Sequence, residues 1–283
     1  MSMTGTTAEQ TVRHERLGIV AYTNVAPLHW GLTPWNEGGH RASFVRGVPS
    51  ELNQALLDGE IDLTLISSVE FLRHRDRLRA LPDFSIATLG PVHSVALFHW
   101  RTWPELDGAR IAVSRDSATS IELLDRMLER DGIRAELVPT PPDLDAMLTH
   151  FDAALLIGDS ALTEGVARRE VAGRVPHLTD LGEAWYQRTR LPFTFAVWAS
   201  RDDRPPSARL VAKLRAARQA GLGHLADVAA EAASRVGVTP EIMLHYLANF
   251  RYHLMSPDRD GLVAFARWRE PGFDPAELRY WEL

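Results

Sequence analysis

The chain has 283 residues, 45% of them hydrophobic and 24% charged, so it can bury one large core or two smaller ones and is not a disordered chain. A formal charge of -6 without a basic cluster argues against a nucleic-acid or acidic-membrane surface, because phosphate binding needs a local excess of Lys and Arg. The absence of cysteine excludes disulfides, thiolate nucleophiles and cysteine zinc sites.

Residues 1–13 are polar and lack the apolar core of a secretory signal, and no apolar run is long enough to span a membrane. The expectation is a cytoplasmic protein with a frayed N-terminal tail. The first element is an apolar strand from Leu17 to Tyr22, followed by Thr23 and Asn24 and a short helical stretch opened by Pro27. In open α/β sheets ligands sit beyond the carboxyl ends of strands, which puts Thr23 and Asn24 where a ligand would be held; an ordinary surface turn is the plainer alternative. A second strand at Ala42–Val45 ends in Arg46 and Gly47, and helix Pro49–Asp58 stops at Gly59. Arg46 is either an ion partner for a substrate carboxylate or a solvated strand end.

Strand Ile61–Ile66 runs into Ser67 and Ser68, whose hydroxyls either cap the next helix or meet a ligand. The alternating charges of Arg73–Arg79 read as a solvated face. Strands Phe84–Thr88 and Ser94–Trp100 follow, and the Trp-Pro and Asp-Gly signals after Trp100 mark a boundary. The pattern then restarts with strand Arg110–Val113, a polar turn carrying Ser117, Thr119 and Ser120, helix Ile121–Arg130, strand Ala135–Val138, a helix ending at His150, and strand Ala153–Ile157 with its corner at Gly158, Asp159 and Ser160. Strand Phe193–Ser200 leads back, and helices are expected at Ala208–Leu225, Val228–Val236, Pro240–Asn249 and Leu262–Glu270, with a last short strand at Tyr252–Met255. The sum is an α/β protein with an open sheet and flanking helices in each of two lobes: 14–100 in the first, 101–199 in the second, and 200–283 a helical part returning to the first.

A cleft between such lobes would be lined by Asn24, Ser67, Ser68, Ser94, Ser117, Thr119, Ser120 and Asp159, a set suited to a small anion bearing hydroxyl groups. The eleven histidines show no helical pair with a matching carboxylate, so no metal site is read. There is no phosphate loop and no Gly-x-Ser-x-Gly elbow; Gly221 and Gly223 lie in a helical stretch with no strand before them, so a dinucleotide site fails on context. Tyr22, Trp30, Trp185, Tyr186, Phe193 and Phe195 either line a pocket for a planar ring or pack the core.

Five segments together resemble the chorismate dehydratase family: Tyr22–Leu28, Gly90–Val95, Ser67–Phe71, Leu156–Leu162, and Asp180–Trp185 with Leu191–Phe193. The resemblance implies the two-lobed fold of type II periplasmic solute-binding proteins. It implies loss of water from chorismate to give 3-(1-carboxyvinyloxy)benzoate, the opening step of the futalosine route to menaquinone, with no metal or redox cofactor. It implies functional roles for Asn24 and Ser94; Thr23, Arg46, Ser67, Ser68, His93, Ser117, Thr119, Ser120 and Asp159, from their places at strand ends and turns, are the further substrate-binding candidates. Thr23 and His93 stand where the family pattern leads one to expect leucine and lysine. Two other readings stay open: a solute receptor without chemistry, and the sister enzyme of this fold that makes a dihydroxynaphthoate.

Overall fold

The computed structural model describes residues 13–114 and 118–282. Ser117 therefore lies outside the described residues, and no described helix is long and apolar enough to cross a membrane. The first lobe is built on seven strands. β1 (Arg13–Val20) lies parallel to both β3 (His40–Gly47) and β4 (Leu63–Ser67), and β2 (Trp35–Glu37) folds back on β3 through a Gly38-Gly39 turn in which both glycines have positive φ. β5 (Leu78–Thr88), β11 (Phe193–Arg201) and β12 (Phe250–Arg251) complete the order β12-β5-β11-β4-β1-β3-β2. The close seating of β1 on β4 depends on Gly18: a Cβ there would fall 2.6 Å from the Thr64 hydroxyl and 2.7 Å from Ile61.

The second lobe has five strands in the order β10-β6-β9-β7-β8, namely β6 (Val95–His99), β7 (Arg110–Ser114), β8 (Glu136–Thr140), β9 (Ala153–Ile157) and β10 (His177–Asp180). β7 runs parallel to β8 and β9, whereas β6 is antiparallel to its neighbours β9 and β10. The change of sheet does not coincide with the sequence division at residues 100 and 199. β6 already belongs to the second sheet and β11 to the first, so the chain crosses between Thr88 and Val95 and returns between Asp180 and Phe193. Turn signals after Trp100 mark the end of a strand, and a strand's local sequence does not say which sheet it joins.

The helices follow the apolar spacing closely. They are α1 (Pro49–Leu57), α2 (Ser68–Arg73), α3 (Ala118–Arg130), α4 (Leu144–His150), α5 (Gly158–Ala167), α6 (Leu181–Thr189), α7 (Ala208–Gly223), α8 (Leu225–Val236), α9 (Pro240–Ala248) and α10 (Ser256–Arg269). The last four carry the C-terminal part back onto the first lobe. Buried Glu15 on β1 accepts from the backbone N–H and the hydroxyl of Ser207, and that hydroxyl in turn caps α7 through Leu210 N–H. Gly221 lets α7 lie directly on the turn after β1, since a Cβ there would meet the Pro27 carbonyl oxygen at 2.2 Å.

Three local expectations are corrected. The segment read as a solvated face contains the start of β5, with Leu78 fully buried, and its Arg75 pairs with Glu270 and Glu277 to hold the C-terminal segment. The last strand is Phe250–Arg251 on the edge of β5 rather than Tyr252–Met255, because Met255 already caps α10. The helical stretch after β1 is a 3-10 turn over Thr23–Leu28 with Pro27 inside it, so Thr23 and Asn24 open the turn instead of preceding it.

Candidate functional site

The strand ends of the two sheets meet around a small cavity of about 90 Å³. Asn24 and Tyr22 enter from the turn after β1, Ser67 from the end of β4, Ser94 from the start of β6, Thr119 and Ser120 from the first turn of α3, and Gly158 from the start of α5. Val20, Leu65, Ile86, Val95, Ile157 and Phe195 supply apolar walls. Ligand pockets usually measure roughly 300–1,000 Å³, so the cleft is narrow as it stands. A hollow of about 710 Å³ sharing Pro49 and Ser67 adjoins it, lined by Glu70, Arg73, Glu122, Asp125 and Arg126.

Asn24 is the most telling lining residue. Its amide oxygen is buried without a hydrogen-bond partner, while its backbone carbonyl accepts from the Tyr252 hydroxyl at 3.0 Å, which fixes the turn that presents it. A buried acceptor left unsatisfied costs about 1–3 kcal/mol, and a ligand that donates to it would recover that cost. Ser94, also buried, follows a Gly90–His93 loop that is anchored from behind. The Asp180 carboxylate accepts from the N–H groups of Val92 and His93, and burial pushes that carboxyl's pKa up against the lowering effect of these bonds. The Ser67 hydroxyl accepts from Asn53 and leaves the α2 N-terminus without a side-chain cap, while the Thr119 hydroxyl accepts from Val69 N–H across the cleft.

Five of the residues singled out in the sequence therefore converge on the cavity: Asn24, Ser67, Ser94, Thr119 and Ser120. Five others do not. Ser68 is fully buried and donates to the Thr194 carbonyl at 2.6 Å, fastening α2 to β11. Arg46 is exposed at the end of β3. His93 has φ of 63°, a conformation rare outside glycine, and lines a separate cavity of about 490 Å³ behind the loop, with its ring 5.8 Å from that of His245. Thr23 and Asp159 hold each other across the lobes: the Asp159 carboxylate accepts from the Thr23 hydroxyl at 2.9 Å and from its N–H at 3.3 Å. Burial nonetheless pushes the Asp159 pKa above its ordinary value.

Of the aromatic candidates, Tyr22 and Phe195 line the cavity. Trp185 and Phe193 are core residues stacked edge-on against each other and Phe265. Sequence reading overlooked Tyr246, whose hydroxyl reaches Ser94 from α9, some 150 residues away in the chain. Its only local signal is a helical apolar position, indistinguishable from ordinary core.

The lining seen here is neutral: among the described residues no Asp, Glu, His, Lys or Arg faces the cavity. Hydroxyls, an amide and strand-end backbone groups are left to bind polar parts of a ligand between apolar walls. The profile of a family described as "Menaquinone biosynthesis" matches residues 15–270. The chain belongs to that family. A relative described as chorismate dehydratase from Thermus thermophilus is 46% identical over 260 residues, 88% of this chain and 93% of that protein. Among solved structures, protein AF1704 from Archaeoglobus fulgidus matches with a TM-score of 0.68 at 19% identity, covering 94% of this chain and 98% of the other. The periplasmic aliphatic sulphonate binding protein SsuA from Escherichia coli matches with a TM-score of 0.63 at 14% identity, covering 95% and 92%. At those identities the likeness is one of fold, and it is the periplasmic-binding-protein-like fold that the family member shares with solute receptors.

Proposed function

We propose that this protein is a chorismate dehydratase, a carbon–oxygen lyase that removes water from chorismate to give 3-(1-carboxyvinyloxy)benzoate in menaquinone biosynthesis. The observation that carries the reading is the family relation at high coverage together with a narrow cavity between the two sheets in which Asn24 offers a buried, unpartnered amide oxygen and Ser94 a hydroxyl. The cytoplasmic location expected from the sequence goes with this role.

In the reaction the ring C3–H bond breaks with its proton passing to the substrate's enolpyruvyl carboxylate, the electron pair forms the C3=C4 double bond, and the C4–O bond breaks as the hydroxyl takes up that proton and departs as water. The product ring is aromatic, so the driving force lies in the substrate. The protein's task is to orient a dianion and to stabilise charge as it develops. Asn24 cannot take a proton, since an amide is not basic near neutral pH, and its oxygen accepts from the C4 hydroxyl or another donor on the ring. Ser94 donates to a carboxylate or to the departing hydroxyl.

The base is the enolpyruvyl carboxylate of the substrate. Asp159 is engaged by Thr23, Asp180 by backbone N–H groups, and His93 faces the other cavity, which leaves no protein carboxylate or imidazole among the described lining residues. Delivery within the substrate gains from proximity. The test is incubation of purified protein with chorismate, following products by chromatography and mass, with Asn24→Ala and Ser94→Ala in parallel. The expected result is loss of the mass of one water, with turnover reduced roughly 10²–10³-fold in each variant, as for removal of one preorganised donor or acceptor. Binding without turnover would support a solute receptor instead, and no binding would remove chorismate as the ligand.

A further inference from the structure

Tyr246 is 1% exposed on α9, with its ring set edge-on against Phe250 at 5.1 Å. Its hydroxyl, buried deep between the C-terminal helices and the second lobe, meets no partner at ordinary hydrogen-bond geometry. The Ser94 hydroxyl is the polar side chain near enough to act on it. Tyr246 lines the cavity behind the Gly90–His93 loop, and Ser94 lines the cleft in front of it. Tyr246 thus stands at the back of the serine, away from where a substrate would sit.

Ser94 has one proton to give and two lone pairs to receive with. As it stands, its hydroxyl donates over a long 3.4 Å to the Val92 carbonyl, a direction that does no work on a ligand. We propose that Tyr246 is a positioning residue for Ser94: its phenol donates to Ser94 Oγ once substrate is bound, which turns the serine proton into the cleft and holds it there. The inference rests on the dehydratase reading above and adds a residue to the machinery that presents Ser94. Burial keeps the phenol protonated, so it serves as a donor throughout. Asp159, the charged group acting on Tyr246, accepts from Thr23 and has no hydrogen bond to the phenol. The arrangement also explains why a polar atom with no settled partner is kept in the packed core: the partner is completed only in the liganded state.

The decisive experiment is a double-mutant cycle on chorismate turnover with Tyr246→Phe, which keeps the ring against Phe250, and Ser94→Ala. Tyr246→Phe is expected to lower kcat roughly five- to thirtyfold with KM within about twofold, the size of one hydrogen bond lost only in the reacting state. On the Ser94→Ala background the same change is expected to do nothing further. Full activity of Tyr246→Phe, or a loss that multiplies with that of Ser94→Ala as independent sites do, would overturn the proposal. A second measurement does not require replacing Tyr246. In protein carrying 3-fluorotyrosine at its five tyrosines, addition of chorismate is expected to shift one solvent-shielded fluorine resonance in the Ser94 protein and not in Ser94→Ala, and chorismate-bound spectra that show no such difference would overturn the proposal as well. Wild-type protein that binds chorismate without turning it over would refute the dehydratase reading, while the fluorine spectrum of the bound protein still tests the Tyr246–Ser94 contact.

Discussion

Replacing Thr23 by valine keeps the shape of the side chain and deletes the hydroxyl that donates to Asp159 across the cleft at 2.9 Å. A net hydrogen bond to a charged group is worth about 1.5–3 kcal/mol, and since Asp159 is only partly shielded from water the lower end, about 1–2 kcal/mol, is the expected loss. The Thr23 N–H bond at 3.3 Å survives. That loss weakens the closed state relative to the open one by roughly 5–30-fold, and because the lobes must close on the ligand to hold it, apparent KM should rise by up to the same factor while kcat at saturation holds. Steady-state kinetics on chorismate, with small-angle scattering of the liganded protein beside it, measures both. An unchanged KM would refute the idea that this contact latches the lobes. The sign of the pH dependence is a further constraint. Asp159 has its pKa raised by burial, so it binds its proton more tightly in the folded protein than in the unfolded chain; its contribution to stability grows as pH falls through the raised pKa and is smallest at neutrality. Asp159→Asn removes that dependence, so wild type should gain on the variant in thermal unfolding as the solution is acidified from neutrality.

His93→Ala should leave turnover within about threefold, because loss of a true acid or base would cost roughly 10²–10⁴-fold and the imidazole lies in the rear cavity; a drop of the larger size would end the substrate-base mechanism. Gly221→Ala places a methyl against the Pro27 carbonyl oxygen at 2.2 Å, so an overpacking cost of about 1–3 kcal/mol should appear as a lower Tm. Turnover should fall as well, since the strained turn carries Asn24; a variant that melts and turns over like wild type would contradict this packing. The pKa of His29 is lowered to about 4 from 6.5 by burial and then by Arg46, so its neutral form is the folded one and its contribution to stability is lost as pH falls from 6.5 through 4. An NMR titration of its ring should give a midpoint near 4, and one near 6.5 would show the ring to be solvated.

Much of the architecture was legible because it rests on local rules. Apolar runs gave β1, β4, β7 and β9; helical spacing gave α1, α3 and α8, with Gly59 and Gly132 as stops for the first two; and the hydroxyls at strand ends located the face of the sheet where a ligand would lie. Family-like segments pointed to Asn24 and Ser94, and both line the cavity. Other features depend on partners far away in the chain. Ser67 and Ser68 are adjacent and chemically identical, yet one faces the cleft and the other donates to Thr194 on β11, because residues that follow one another at a strand end point to opposite sides.

The sequence by itself determined most of the elements, the two-lobed α/β class and the kind of polar group gathered at the strand ends, since periodicity, capping and turn chemistry act over a few residues. Tertiary structure decided which sheet each strand joins, that Thr23 and Asp159 clasp each other instead of a ligand, that His93 turns away at positive φ, and that Tyr246 stands behind Ser94. Those are contacts between residues tens to more than a hundred positions apart, fixed by the packing of two sheets and a returning helical segment, and no short stretch of sequence contains both partners.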